Sequence, residues 1–358
     1  MSTSATASTP GTIQRTRRSR WRRPANAVVR RLRFVALQLI GVMAFTFLLI
    51  RLVPGDPARA LAGPAATPEV LSQIRQQLGL DQSLPVQFWE YLTNVLHGDL
   101  GTSLSTGHPV SSDLSSRLPA TLELITCALL LALLLGVVLG IRLARRRTRA
   151  LNRTVFGYSM FAGAIPDFWL ALLLIYFVAF KFHLAPAPIG RLGFETPPPH
   201  VTGSYLIDSI IAGQWSTFVS SLWYLMLPVA TLTLVYTGQI VKITRLSVQA
   251  ADKSPFVDLY DGAGVEPKLI QRRATRLALP PVLTITGITY GYLLGGAVLV
   301  ELVFAWGGIG QYAVSAIRSA DYPAIQGFVL VAAIFNILVY LVVDLLLVVI
   351  DPRVARKQ

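Results

Sequence analysis

Six long apolar windows constrain this chain more than any other feature: Phe34–Val53, Thr121–Ile141, Val155–Phe180, Leu222–Val241, Pro281–Val300 and Ala324–Ile350. Each approaches the roughly 20 mainly apolar residues that a helix needs to cross the hydrocarbon of a bilayer. A soluble domain carries roughly a quarter charged residues. Here 14% are charged and 53% hydrophobic, and the charges cluster between the apolar runs. The expected architecture is an all-α membrane protein with six transmembrane helices.

The formal net charge of +14 invites a nucleic-acid reading, but its distribution excludes one. Residues 1–33 hold nine arginines and no acid, and residues 142–153 hold six arginines and no acid. Neither stretch interleaves its arginines with aromatics in a folded domain, as a nucleic-acid reader does. Short basic segments beside apolar spans are what the positive-inside rule demands. With the N-terminus in the cytoplasm, the inside segments 1–33, 142–153, 242–280 and 351–358 hold 25 Lys and Arg, against six in the outside segments 54–118, 181–221 and 301–323. Both termini are therefore expected inside. Residues 1–29 read as a disordered basic cytoplasmic tail, and 354–358 as a short cytoplasmic tail. A cleavable signal would have a central run of 7–15 residues, shorter than the first window.

Two outside segments are long enough to form structure. Residues 54–118 carry six acids and three bases, with a helix expected over Pro68–Leu78 and another after Pro85. The second presents Phe88, Trp89, Tyr91, Leu92 and Leu96, suited to a membrane surface or to closing an external mouth. Residues 181–221 begin irregularly, with Pro197-Pro198-Pro199, and then offer Tyr205–Ala212, too short to cross and suited to an interfacial helix.

The catalytic motifs of common enzymes are missing from the sequence. None of the five lysines follows a glycine, so the Walker phosphate loop has no counterpart. The histidines His97, His108, His183 and His200 have no histidine partner at i+4 and fall in outside segments, so a zinc-protease helix is excluded. Cys127 is the single cysteine, which rules out an internal disulfide and a thiolate cluster. No catalytic residue, bound cofactor or metal is expected.

Ionisable groups in or beside spans say more, because a charge at the centre of a span costs about 2.5–3.5 kcal/mol on insertion scales. Asp167 follows Pro166 near the middle of the third window, where proline frees a carbonyl and a kink is expected. Asp167, Glu301 and Glu123 are candidates for a translocation path, although the last two sit near span ends and can equally reach the interface. Asp344 lies close enough to the last inside end to pair with a nearby arginine. The inside segment 242–280 mixes seven bases with four acids. Phe256, Leu259 and Tyr260 share one apolar face at i, i+3 and i+4, Gly264 permits a tight turn before Pro267, and a second helix is expected over Lys268–Leu279, ending at Pro280-Pro281. Such a pair suits either a docking surface or a solvated connector.

These residues, taken together, resemble a family. Arg51-Leu52-Val53-Pro54-Gly55-Asp56-Pro57, His97-Gly98-Asp99-Leu100-Gly101, Arg117-Leu118-Pro119-Ala120-Thr121-Leu122-Glu123-Leu124 and Ile165-Pro166-Asp167-Phe168-Trp169-Leu170 follow one another in order. Gly295-Gly296-Ala297 with Glu301, Asp321-Tyr322-Pro323-Ala324-Ile325-Gln326-Gly327 and Asp351-Pro352-Arg353 complete the series. The match runs from about residue 30 to 353 and resembles the dipeptide/oligopeptide-type permease subunits of bacterial ABC importers, specifically the first of the two permeases. The resemblance implies a type I importer permease fold over 30–353, a multi-pass protein of the bacterial cytoplasmic membrane surrounded by lipid, and alternating access. It implies a second homologous permease subunit, two ATPase subunits carrying ATP and Mg, an extracytoplasmic binding protein, and a di- or oligopeptide as cargo. The 54–118 insert would then touch the binding protein or cap the path. The family's Glu-Ala-Ala-type docking signature reads here as Asp258-Leu259-Tyr260-Asp261-Gly262-Ala263-Gly264, keeping the acid and the final glycine. Phe256, Asp258, Leu259, Tyr260 and Gly264 are the expected ATPase-coupling residues. The segment 190–215 is longer than is usual in the family. A secondary transporter or channel, or an importer of a nickel complex or haem-like ligand, is the alternative. The former would show inverted repeats, and none is evident.

Overall fold

The structure, a computed structural model, describes residues 22–52, 58, 66–77, 79–145 and 149–350. The tail 354–358, most of the tail 1–29, the Pro54-Gly55-Asp56-Pro57 motif and residues 146–148 lie outside the described residues. Among those described, five helices are long and apolar enough to cross a membrane, and a bent pair makes a sixth span.

Helix α1 (Arg22–Leu52) starts within the expected tail rather than at residue 30. Pro24 sits in its first turn, where a missing N–H breaks no helical bond. Its buried residues Met43, Phe47 and Ile50 fall at helical spacing, a single stripe that packs on the last helix. Phe45, Leu48 and Leu49, on its other faces, are exposed. Two short helices follow, α2 (Pro68–Gln77) and α3 (Leu84–Leu96). Phe88 and Tyr91 of α3 stack on Phe47, and Arg51 donates to Gln87 Oε1 at 2.6 Å, holding α3 to the end of α1. Trp89 and Leu96 point away and are exposed.

The centre of the bundle is built from α4 (Val110–Arg145), α8 (Trp215–Asp252) and α10 (Pro267–Val303). A Cβ added at Gly136 would stand 2.5 Å from Ile240 Cγ2, and one at Gly140 would stand 2.5 Å from Thr244 Cβ. Glycine at this four-residue spacing lets α4 and α8 approach backbone to backbone, and packing of that kind substitutes for the hydrophobic force that lipid removes. Leu124, Ile125, Leu232, Leu293 and Val300 complete the seam.

The third window departs from the expected kinked helix. Helix α5 (Arg149–Ala162) stops, and α6 (Asp167–Leu174) resumes after Pro166 at 111° to it. Proline favours extended backbone in the residue before it, and Gly163 and Ala164 form a turn just upstream. A π-helical segment, Ile175–Lys181, ends the span. Helix α7 (Tyr205–Ile211) is the short helix expected there.

The inside segment also differs. Helix α8 runs past Val241 to Asp252, α9 (Pro255–Gly262) is brief, and α10 begins at Pro267 and continues through Pro280-Pro281. Lys268–Leu279 is thus the first part of a spanning helix, not a separate one. Proline inside a span is tolerated where neighbouring groups make up for the lost helical bonds; here Pro280 and Pro281 leave the Arg276 and Leu277 carbonyls without their usual i+4 amide donors. Helices α11 (Ile309–Arg318) and α12 (Tyr322–Ile350) close the chain.

The two ends of the bundle gather different segments. Residues 79–109, 182–214 and 304–321 share one end, here called the insert face. The α8–α9–α10 connection and the end of α4 share the other, the basic face.

Candidate functional site

At the break in the third span, Asp167 opens α6 and is half-buried. Tyr236 of α8 donates its hydroxyl to Asp167 Oδ2 at 3.1 Å. The pair rests on α10 at Gly296, where a Cβ would lie 2.5 Å from Tyr236 Oη and 3.2 Å from Asp167 Oδ2. Three helices from distant parts of the chain therefore meet at one carboxylate, and Gly296 leaves the room for it. Exposed Phe168, Trp169 and Tyr292 lie close by in sequence to these residues.

The other two path candidates have different surroundings. Glu123 pairs with Arg191 at 3.0 Å, with side chains 3% and 9% exposed. It also accepts from Ser204 Oγ at 2.5 Å and from the Leu206 amide at 3.3 Å. Arg191 donates to the Gly203 carbonyl at 3.2 Å, and its guanidinium lies over the Tyr205 ring at 3.5 Å. Glu301 is 0% exposed. It accepts from Thr121 Oγ1 at 2.5 Å and from the Gln311 amide at 3.1 Å, while Thr121 Oγ1 accepts from the Ile309 amide at 2.9 Å. A carboxylate against the first turn of α11 also suits the helix dipole. Glu123 and Glu301 are thus buried among hydrogen-bond donors of the insert face, and the expectation that they can equally reach the interface is corrected.

Two further carboxylates are held in the same way. Asp321, fully buried, accepts from Ser103 Oγ at 2.6 Å, from the Ser105 amide at 3.0 Å and from Ser105 Oγ at 2.9 Å, and it caps α12 through the Ala324 amide at 3.2 Å. Burial pushes its carboxyl upward, but the Ser103 and Ser105 donors outweigh that and hold it below the ordinary carboxylate value. Asp208 accepts from Thr202 at 2.7 Å and from the Gly203 amide at 2.9 Å, folding the polar loop before α7.

On the basic face, the expected coupling residues divide. Phe256 packs into a pocket of Val248, Ala251, Ala274 and Ala278. Tyr260 stacks edge-on against Phe256 and accepts from Arg273 at 2.8 Å. Leu259 turns the other way and is 71% exposed, with Asp258 and Asp261 also exposed beside it. The single apolar face expected from Phe256, Leu259 and Tyr260 is therefore two faces: one grips α10 and one is offered outward. Gly264 holds φ at +71°, where a side chain would be strained, and ends the helix before Pro267.

Comparison with known proteins follows this geometry. The family described as "Binding-protein-dependent transport system inner membrane component" matches residues 136–356, and its N-terminal counterpart matches residues 25–125. The chain belongs to this family of transport permeases. It is 43% identical over 325 residues to the probable D,D-dipeptide transport system permease protein DdpB of Escherichia coli, covering 90% of this chain and 95% of that one. It is 34% identical to the dipeptide transport system permease protein DppB of the same organism, over 92% and 99% of the two chains. Identity is also 34% with the glutathione transport system permease protein GsiC of Salmonella choleraesuis, over 93% and 99%. The permease is accordingly an all-α, multi-pass protein of the cytoplasmic membrane with the type I ABC permease fold.

The sequence singled out Asp167 and the α9 segment but not the residues that meet them or the other carboxylates and helix ends. Tyr236, Arg191, Arg145 and Arg273 stand in ordinary helical or loop contexts, and no local period marks them. Gly296 and Thr121 lie within motifs carrying the resemblance, which was the available signal, but their partners are long-range.

Proposed function

We propose that this permease is the first membrane subunit of an ATP-driven importer of di- or oligopeptides and forms half of the translocation path. The observation that carries the reading is α9, which offers Leu259, Asp258 and Asp261 outward while Phe256 and Tyr260 hold it to the bundle. A helix gripped on one side and bare on the other can receive force from a soluble partner. That partner is a pair of ATPase subunits, where ATP and Mg bind. The excess of Lys and Arg on the same side supports a cytoplasmic basic face, with both termini inside. The insert face then lies outside, where an extracytoplasmic binding protein delivers cargo. A second, homologous permease supplies the other wall, and lipid covers the remaining apolar surface. Peptide as cargo rests on the named substrates of the relatives; a nickel complex or haem-like ligand is the alternative.

Of the three carboxylates read as path candidates, Asp167 is the one we assign to the path. It is half-buried at the broken span and has Tyr236 as its side-chain donor. Purification of the tagged complex in mild detergent, followed by reconstitution, tests the function: ATPases should co-purify, and uptake of labelled dipeptide should require ATP and the binding protein. Uptake by this chain alone would instead make it a secondary transporter or channel. Impermeant thiol labelling of His97→Cys, at an exposed position on the insert face, should succeed in intact spheroplasts. Labelling only after lysis would reverse the topology. Asp167→Leu should lower uptake without loss of assembly.

A further inference from the structure

At the basic face one cation joins the ends of three spanning helices. Arg145, the last residue of α4, donates through Nη2 to the Gln271 carbonyl at 2.8 Å and to Thr275 Oγ1 at 2.9 Å, both on α10. The same guanidinium faces the Asp252 carboxylate, at the end of α8, at 3.4 Å. Five donors in a planar fork make arginine suited to such a junction. Stability alone gives little reason for it, because the side chains are 25% and 32% exposed and water screens the pair.

The neighbouring packing supplies a reason. Helices α4 and α8 already touch closely at Gly136 and Gly140. Where α10 meets this pair, the small side chains Ala251, Ala274 and Ala278 leave the pocket that Phe256 of α9 fills. Further along α10, Pro280 and Pro281 lack two helical donors, so the part before them can tilt against the part after. A displacement of α9 enters that first part directly, through Phe256 and through the Tyr260–Arg273 contact. Left untied, Pro267–Leu279 would tilt alone about the prolines, and α4 would stay behind.

We propose that Arg145 is a positioning residue for transport: it ties the ends of α4 and α8 to the first part of α10, so that displacement of α9 moves all three together. This rests on reading α9 as the ATPase-coupling helix.

The complete complex, reconstituted with its ATPases and binding protein, allows the test. Spin labels at Arg142→Cys on α4 and Arg272→Cys on α10, both exposed positions, in a Cys127→Ser background report the spacing of the two ends. With Arg145 present, the spacing should not change when a non-hydrolysable ATP analogue and loaded binding protein are added. In Arg145→Ala it should change, and peptide carried per ATP hydrolysed should fall about two- to thirty-fold, the range for residues that carry coupling. Arg145→Lys, which reaches fewer acceptors, should lie between. A parental ratio and constant spacing in Arg145→Ala would overturn the inference. Should Arg145→Ala not assemble, Thr275→Val removes one acceptor at similar volume. A lowered ratio then supports the tie, and a parental ratio overturns it. Leu259→Ala separates the premises: full ATPase association and coupling in that variant would sink the role of α9 itself. Uncoupling by Leu259→Ala beside parental Arg145→Ala would sink only the role of Arg145.

Discussion

The two ends of the molecule are fastened by different chemistry. At the insert face, Glu123, Glu301, Asp321 and Asp208 are buried and accept several hydrogen bonds each; the first three draw donors from distant parts of the chain, and Asp208 from the loop just before it. At the basic face, one partly exposed arginine and an aromatic ring in a pocket of small residues hold three helix ends and α9. A buried, fully bonded carboxylate resists displacement, because moving it exposes unpaired polar atoms to a low-dielectric interior. A partly solvated clasp can slide or reform at small cost. The insert face is therefore the end that holds its shape, and the basic face the end that can yield.

Glu123→Ala attacks this contrast where the effect should be largest. It leaves Arg191 buried without its counter-charge, and losing one member of a buried pair costs about 3–5 kcal/mol. Thermal melting followed by size exclusion in detergent should show a large drop for Glu123→Ala, while Arg145→Ala, at a screened pair, should lose under about 1 kcal/mol. Equal losses at both ends would break the comparison.

Gly296→Ala probes the space between the ends. The added methyl, 2.5 Å from Tyr236 Oη, must push the hydroxyl away from Asp167, and overpacking of this kind costs about 1–3 kcal/mol. Uptake should fall to the level of Tyr236→Phe. The double variant Gly296→Ala/Tyr236→Phe should fall no further, since both changes remove one contact. Additive losses would separate the glycine from the carboxylate.

A smaller effect, confined to acid, is expected from Asp321. Its folded carboxyl lies below the ordinary value, so the stability it contributes is present above the unfolded value of about 3.9 and is lost as pH falls through the folded one. Melting temperature should change little from this group between neutral pH and about 5, then decline below about 4. Asp321→Asn should lower the plateau and flatten that decline. An unchanged acid limb in Asp321→Asn would remove Asp321 from the fastening of this face.

Leu259→Ala should change stability least, within about 0.5 kcal/mol, because the side chain is exposed. Its expected consequence is weaker co-purification of the ATPases. Phe256→Ala, by contrast, should destabilise α9 itself. A reversal of that order would mean that the face gripping α10 and the outward face of α9 have been exchanged.

Much of this protein was legible from local pattern. Spans are long apolar runs because hydrocarbon admits little else, and the lopsided arginines give the expected orientation because charged loops are retained on one side. Helix α9 could be placed from Phe256, Leu259, Tyr260 and Gly264, since spacing and turns are written within a few residues. Which face of that helix was spoken for could not be read, because Arg273 and the alanine pocket lie on other helices. The carboxylates show the same division more sharply. Asp167, Glu123 and Glu301 look alike in sequence, each an acid in or beside an apolar run. Glu301 is matched by Thr121, 180 residues away, and Glu123 by Arg191 and Ser204, 68 and 81 residues away. Composition and period fixed where charges occur, because those follow from the solvent along each segment. Tertiary structure alone decided which charges are satisfied, because a partner brought in by folding leaves no trace in the neighbouring sequence.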